Sequence, residues 1–175
     1  MLHNQAQEVA EITPEIKSLI TDMFETMEAA PGVGLAAPQV GVSLRIFIYD
    51  YEFEGERLRG VAINPKLNIA DLAEGEPDPE TEAEGCLSVP TERFPLKRAN
   101  KAVLTAQDET GSTYSLEVNG WMARIFQHEF DHLDGILYVD KLPAPYSTQA
   151  QEAIEEYGWG VPGLSWMPGE DDLEP

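Results

Sequence analysis

Cysteine is almost missing from this chain of 175 residues: the one thiol, Cys86, excludes an intramolecular disulfide and fits a reducing compartment. Histidine is nearly as scarce, with only His3, His128 and His132. No apolar run approaches the roughly 18 residues needed to cross a bilayer, and no charged, apolar, small-residue leader opens the sequence. The expected location is the cytoplasm, with no membrane partner. Cations are also short: 11 Lys and Arg stand against 32 Asp and Glu, a net charge of −21. A phosphate backbone would be repelled by such a surface, so direct nucleic-acid binding is not expected. Nothing in that balance opposes a peptide substrate.

What is present begins with a helix signal. Thr13 is a natural N-cap, Pro14 suits the first helical position, and Glu15 places an acid in the first turn. Ile16, Leu19, Ile20, Met23, Phe24 and Met27 then recur at helical spacing, so an amphipathic helix should run to about Pro31. GVGLAAPQVG follows, Gly32 to Gly41. Its glycines loosely match a dinucleotide loop, but that fingerprint must follow a strand and open a helix, and here the order is reversed. The segment instead permits close backbone approach, and Gln39 supplies an amide donor at its end.

Leu44 to Asp50 reads as a strand, residues 51–57 as a charged turn, and Gly60 to Ala70 as two strand pieces interrupted at Pro65. Asp71 to Glu84 is an acidic, proline-bearing loop that lacks the spacing of a calcium-binding loop. Lys101–Gln107 and Ser112–Val118 form a hairpin across Asp108–Gly111. Asn119 should cap a buried helix that Gly135 stops, and residues 148–157 suggest a last helix with Thr148 and Gln151 in capping-box spacing. The Gly/Pro/Trp-containing end, with Trp159 and Trp166 as anchors, is expected to be irregular. The divisions are 1–158, a single domain, and 159–175, an acidic tail.

Chemistry is concentrated in QHEFDHLDG, Gln127 to Gly135. His128 and His132, four apart, share one face of a helix and can reach a single metal ion, while Glu129 can exchange a proton with metal-activated water. A catalytic site of this kind needs a third protein ligand and an open position. The longer zinc-peptidase pattern would require its third histidine at Tyr138, and fails. Two candidates stay open: a glutamate from the last helix (Glu152, Glu155 or Glu156), as in a zinc metallopeptidase, or the thiolate of Cys86 in EGCLSVP.

Taken together and in this order, GVGLAAPQ, EGCLS and QHEFDHLDG resemble the three signature motifs of the peptide deformylase family, and the likeness extends from the first helix to about residue 142. The resemblance implies Cys86, His128 and His132 as metal ligands and Glu129 as the catalytic acid and base. It further implies Gln39 and the Leu87 backbone N–H as oxyanion donors. The ion would be Fe²⁺ in the cell, with Ni²⁺, Co²⁺ or Zn²⁺ accepted in a purified sample. The activity implied is removal of the N-formyl group from the N-terminal methionine of newly made polypeptides, releasing formate, and hence a place in protein biosynthesis and transient proximity to the ribosome exit. A methionine pocket near Val33, Trp121 and Ile125, and a peptide track along Gly34, Gly85 and Arg93, belong to the same expectation. The implied fold is α+β, with antiparallel sheets packed around the motif helix. Some relatives carry a basic terminal helix, whereas this chain ends in an acidic tail.

Overall fold

The computed structural model describes residues 1–53, 55–72, 74–161, 163–168 and 170–171. Of the expected tail, Pro162, Gly169 and residues 172–175 therefore lie outside the described residues. The chain divides into two compact units, Met1–Ala73 with Arg98–Leu137, and Glu74–Lys97 with Tyr138–Pro175.

The first unit opens with a pinned segment rather than a frayed terminus. Ala6 N–H donates to Leu133 O (2.8 Å), Gln7 bridges to Leu44, and Val9 exchanges two hydrogen bonds with the Asn64 side chain. Helix α1 (Pro14–Ala29) then starts as its residues dictate, with Ile16 N–H reaching Thr13 Oγ1 at 3.5 Å, and buries Ile20, Met23 and Met27. Strands β1 (Gly34–Ala36), β2 (Ile46–Phe53), β3 (Glu56–Leu72), β6 (Ala99–Gln107) and β7 (Thr113–Asn119) make one five-stranded antiparallel sheet in the order β1-β2-β3-β6-β7. The two strands that come between β3 and β6 in sequence belong to the other unit.

Two sequence expectations change here. Most of the turn expected at 51–57 is strand instead, β2 running to Phe53 and β3 starting at Glu56, with Gly55 just before it at a φ of 82°. The two strand pieces are one strand, because the register shifts between Ile63 and Lys66 and the irregularity accommodates Pro65, which has no N–H to give the ladder.

Helix α2 (Gly120–Leu133) lies on this sheet. Met122, Ala123, Ile125, Phe126 and Leu133 join Phe47, Tyr49, Ala62, Ala102 and Leu104 in the core, and the rings of Tyr49 and Phe126 meet edge-on at 4.9 Å. Asn119 occupies the N-cap position, without a side-chain bond to the helix. Gly135 ends the helix at a φ of 75°, and a Cβ there would also come within 2.8 Å of the Asn4 backbone.

In the second unit, β4 (Ala83–Cys86) and β5 (Val89–Pro95) form a two-stranded antiparallel sheet that the sequence did not announce. Helix α3 (Tyr146–Tyr157) begins two residues before the expected start, so Thr148 lies inside it and the capping box is not formed. Gly158, with a φ of 71°, closes it. Tyr157 stacks on Trp159, and Trp166 Nε1 donates to Leu87 O at 2.8 Å. No helix among the described residues is long and apolar enough to cross a membrane.

Candidate active site

Helical spacing does for the motif what the sequence required of it. The rings of His128 and His132 lie 5.0 Å apart at 73°, with His132 almost fully buried and His128 half-buried. Three anchors fix the helix that carries them. Gln127, buried beside His128, accepts from Ala99 N–H (3.0 Å) and donates to Ala99 O and Ala123 O (2.8 Å each). Asp131 pairs with the buried Arg98 at 2.5 Å. Asp134 pairs with Arg45 at 2.8 Å, and the same guanidinium reaches Leu133 O and lies over the Phe130 ring. Arg124 stacks over Trp121. Asp131, Asp134 and Arg124 thus all have structural partners.

Glu129 is 4% exposed and lies against β1, where the bare backbone of Gly34 faces its side chain. Gln39, in the 3-10 turn after β1, accepts from Ala36 N–H through Oε1 at 2.8 Å, which determines that Nε2 is the donor end of the amide beyond that contact.

Cys86, buried and in no disulfide, ends β4, and Ser88 N–H points at its sulfur at 3.4 Å. Leu87 sits in the turn that follows, its carbonyl engaged by Trp166. Gly85 is the register partner of Arg93, whose guanidinium reaches Ala83 O at 3.4 Å. Burial pushes the Tyr138 phenol well above its ordinary range, and the neighbouring Cys86, Glu84 and Glu92 push in the same direction. It stays a neutral donor to Glu92 O at 3.3 Å.

Cys86, His128 and His132 each offer one ligand atom, and the three atoms lie within 4.8 Å of one another. One thiolate and two imidazoles are a donor set suited to a borderline divalent transition metal, so the residues fit such an ion. Glu152, the ligand of the alternative reading, is not part of this group and is exposed on α3, as are Glu155 and Glu156. Of the expected methionine pocket, Ile125 is buried, whereas Val33 and Trp121 are 44% and 39% exposed. Helix α2 is buried over most of its length, as expected, with Trp121 in its first turn an exposed exception.

The family model for polypeptide deformylase matches residues 1–147. The chain belongs to the peptide deformylase family. Among relatives of this deformylase, the peptide deformylase of Mycolicibacterium paratuberculosis is 48% identical over 178 residues, covering 97% of this chain and 90% of that one. That of Rhodococcus opacus is 47% identical over 174 residues, covering 97% and 89%. The crystal structure of peptide deformylase from Thermus thermophilus superposes with a TM-score of 0.75 at 41% identity, covering 89% of this chain and 87% of that one. A peptide deformylase from Synechococcus elongatus, solved in complex with actinonin, gives 0.76 at 35% identity, covering 90% and 82%. The α+β architecture of this deformylase, with antiparallel sheets and, among the described residues, three α-helices, matches these structures.

Sequence reasoning gave no role to Gln127 or Arg98. Their partners, Ala99 and Asp131, lie far from them in sequence, and no local pattern marks either pairing.

Proposed function

We propose that Cys86, His128 and His132 hold the metal of this peptide deformylase and that Glu129 moves the proton. The enzyme is a metal-dependent hydrolase that removes the formyl group from N-formyl-methionyl nascent peptides and releases formate. The observation that carries the site assignment is the thiolate and imidazole set drawn from two of the three signature motifs.

When bound, the divalent ion supplies a water of lowered pKa and a Lewis-acid contact to the formyl oxygen. Glu129 accepts the proton of the attacking water and returns it to the departing amine, so the C–N bond breaks to give formate and a free N-terminus. Gln39 Nε2 and the Leu87 N–H donate to the oxygen on which negative charge develops. The Ala36 contact supports this role for Gln39, because an amide held by its oxygen does not flip its donor away. Val33, Trp121 and Ile125 bind the methionine side chain, and Gly34, Gly85 and Arg93 line the peptide. The exposure of Val33 and Trp121 is consistent with surfaces that a substrate covers.

Within this reading the cellular ion is Fe²⁺, with Ni²⁺, Co²⁺ or Zn²⁺ able to replace it, and the enzyme works in the cytoplasm, transiently near the ribosome exit where its substrates emerge. Residues 1–158, which include parts of both compact units, act as one catalytic domain with 159–175 as an appended tail; the family match over 1–147 falls within that domain.

The test uses anaerobically prepared protein, metal analysis and formate release from formyl-Met-Ala, applied in parallel to Cys86→Ser and Glu152→Ala. Loss of both metal and activity in the first, with both kept in the second, is expected. The opposite pattern would overturn the ligand assignment.

A further inference from the structure

Position 34 is a glycine for a reason other than backbone conformation. Glycine is usually required where φ is positive, yet Gly34 is not among the left-handed glycines of this chain; it is an extended residue of β1 paired with Tyr49. Any L residue adopts that backbone. What excludes a side chain is Glu129. A Cβ built on Gly34 would lie 2.8 Å from Glu129 Cδ and 2.9 Å from Cγ, and closer still to Oε1. Carbon pairs settle at roughly 3.5–4.0 Å, so the overlap involves the stem of the glutamate as well as its tip. Glu129 is buried on a helix held by the Gln127 and Asp131 anchors, and the helix cannot retreat without losing them.

We infer that Gly34 is a positioning residue for the proton-transfer group: its missing side chain leaves the space in which the Glu129 carboxylate is held. This role is distinct from lining the substrate peptide, and it rests on the reading of Glu129 as acid and base. The two roles of Gly34 separate kinetically. A lost peptide contact raises KM, whereas a displaced carboxylate lowers kcat at nearly constant KM.

The experiment is a double-mutant cycle of Gly34→Ala and Glu129→Ala on the full chain, read by kcat and KM with formyl-Met-Ala, by metal content, by the visible spectrum of the Co²⁺ protein, and by the thermal midpoint. Gly34→Ala should lower kcat on the order of 10²-fold, the cost of a misplacement near 1 Å, with metal content and cobalt spectrum retained. It should also lower the thermal midpoint when residue 129 is Glu, and hardly at all when residue 129 is Ala. Should Gly34→Ala not fold, recovery of a cooperative melt in the double variant carries the same result, and failure of both counts against the proposal. An equal thermal loss in both backgrounds, or a rise in KM with kcat unmoved, overturns it. Full turnover in Glu129→Ala would instead overturn the acid–base reading of Glu129, and the thermal coupling, which does not depend on that reading, tells the two failures apart.

Discussion

A glutamine side chain has the shape and polarity of a peptide group, and Gln127 uses that likeness. Its amide meets both the N–H and the C=O of Ala99, as a neighbouring strand would, and adds a third bond to Ala123 O within its own helix. The site is buried, so no water replaces those bonds when the side chain is cut back. Gln127→Ala should therefore cost about 3 kcal/mol in urea unfolding, the penalty of leaving two backbone groups unpaired. Gln39 presents the converse case, an amide whose acceptor end is committed to Ala36 and whose donor end the proposed mechanism uses. Gln39→Glu keeps an acceptor for Ala36 but removes the donor, and turnover should fall by about 10² to 10³ with metal content unchanged. A rise in KM alone, without loss of turnover, would show that Gln39 does not stabilise the transition state. At this scale helical spacing singled out His128, Glu129 and His132, while local pattern marked Gln39 only as an amide donor and the resemblance supplied its proposed role. The sequence joined Cys86 to them only through that resemblance, because no local spacing encodes a contact between distant segments.

Elements were legible where their ends are marked by residues with one physical meaning. Thr13-Pro14 opens α1 and Gly135 closes α2 where the sequence said they would, and the β6–β7 hairpin turns at the expected Asp108–Gly111. Elements without such marks were missed. β1 has three residues, too few for a periodic signal, and β4 and β5 carry no clean alternation of apolar and polar positions. β3 was read as broken because Pro65 normally interrupts a ladder, but Asn64 at a φ of 49° turns the chain through an irregularity that tolerates it. Asn64 also clips the N-terminal segment down, accepting from Val9 N–H at 2.8 Å and donating to Val9 O at 2.9 Å. Asn64→Ala removes both bonds and puts a poorly suited residue in a left-handed conformation. It should destabilise the protein by about 2 kcal/mol and speed amide exchange at Val9. Unchanged exchange at Val9 would mean that the N-terminal segment is held by its other contacts alone.

For the whole molecule the dominant quantity is the net charge of −21 with a sequence pI near 4.2. So many like charges oppose the compact state, and salt relieves the repulsion by screening it. Lowering the pH towards the pI relieves it by protonating carboxylates, but particular carboxylates work against that gain. Hydrogen bonding from Arg57, and then from Arg59, holds the Asp50 carboxyl below its usual range at the β2–β3 hairpin. The stability contributed by a depressed carboxylate is fully present above its unfolded value and is lost as pH falls through the folded one. Asp78 and Asp108, depressed by hydrogen bonds from their own turns, add to the loss in the same window. The two effects operate in different pH ranges, so the thermal midpoint at low salt should rise as the solution is taken from pH 8 to about pH 5 and then fall below about pH 4. Adding salt should raise the midpoint most at pH 8 and scarcely near pH 4.2, where the net charge vanishes. Comparing the two salt conditions at each pH cancels any pH dependence of metal binding, leaving the charge effect alone. Asp50→Asn should flatten the acid limb, because it removes the depressed carboxylate and its ion pairs, and leave the salt response at pH 8 nearly as it was, since one charge in such an excess alters the total field little. A salt response of equal size at pH 4.2 and pH 8 would show that self-repulsion does not govern the stability of this fold.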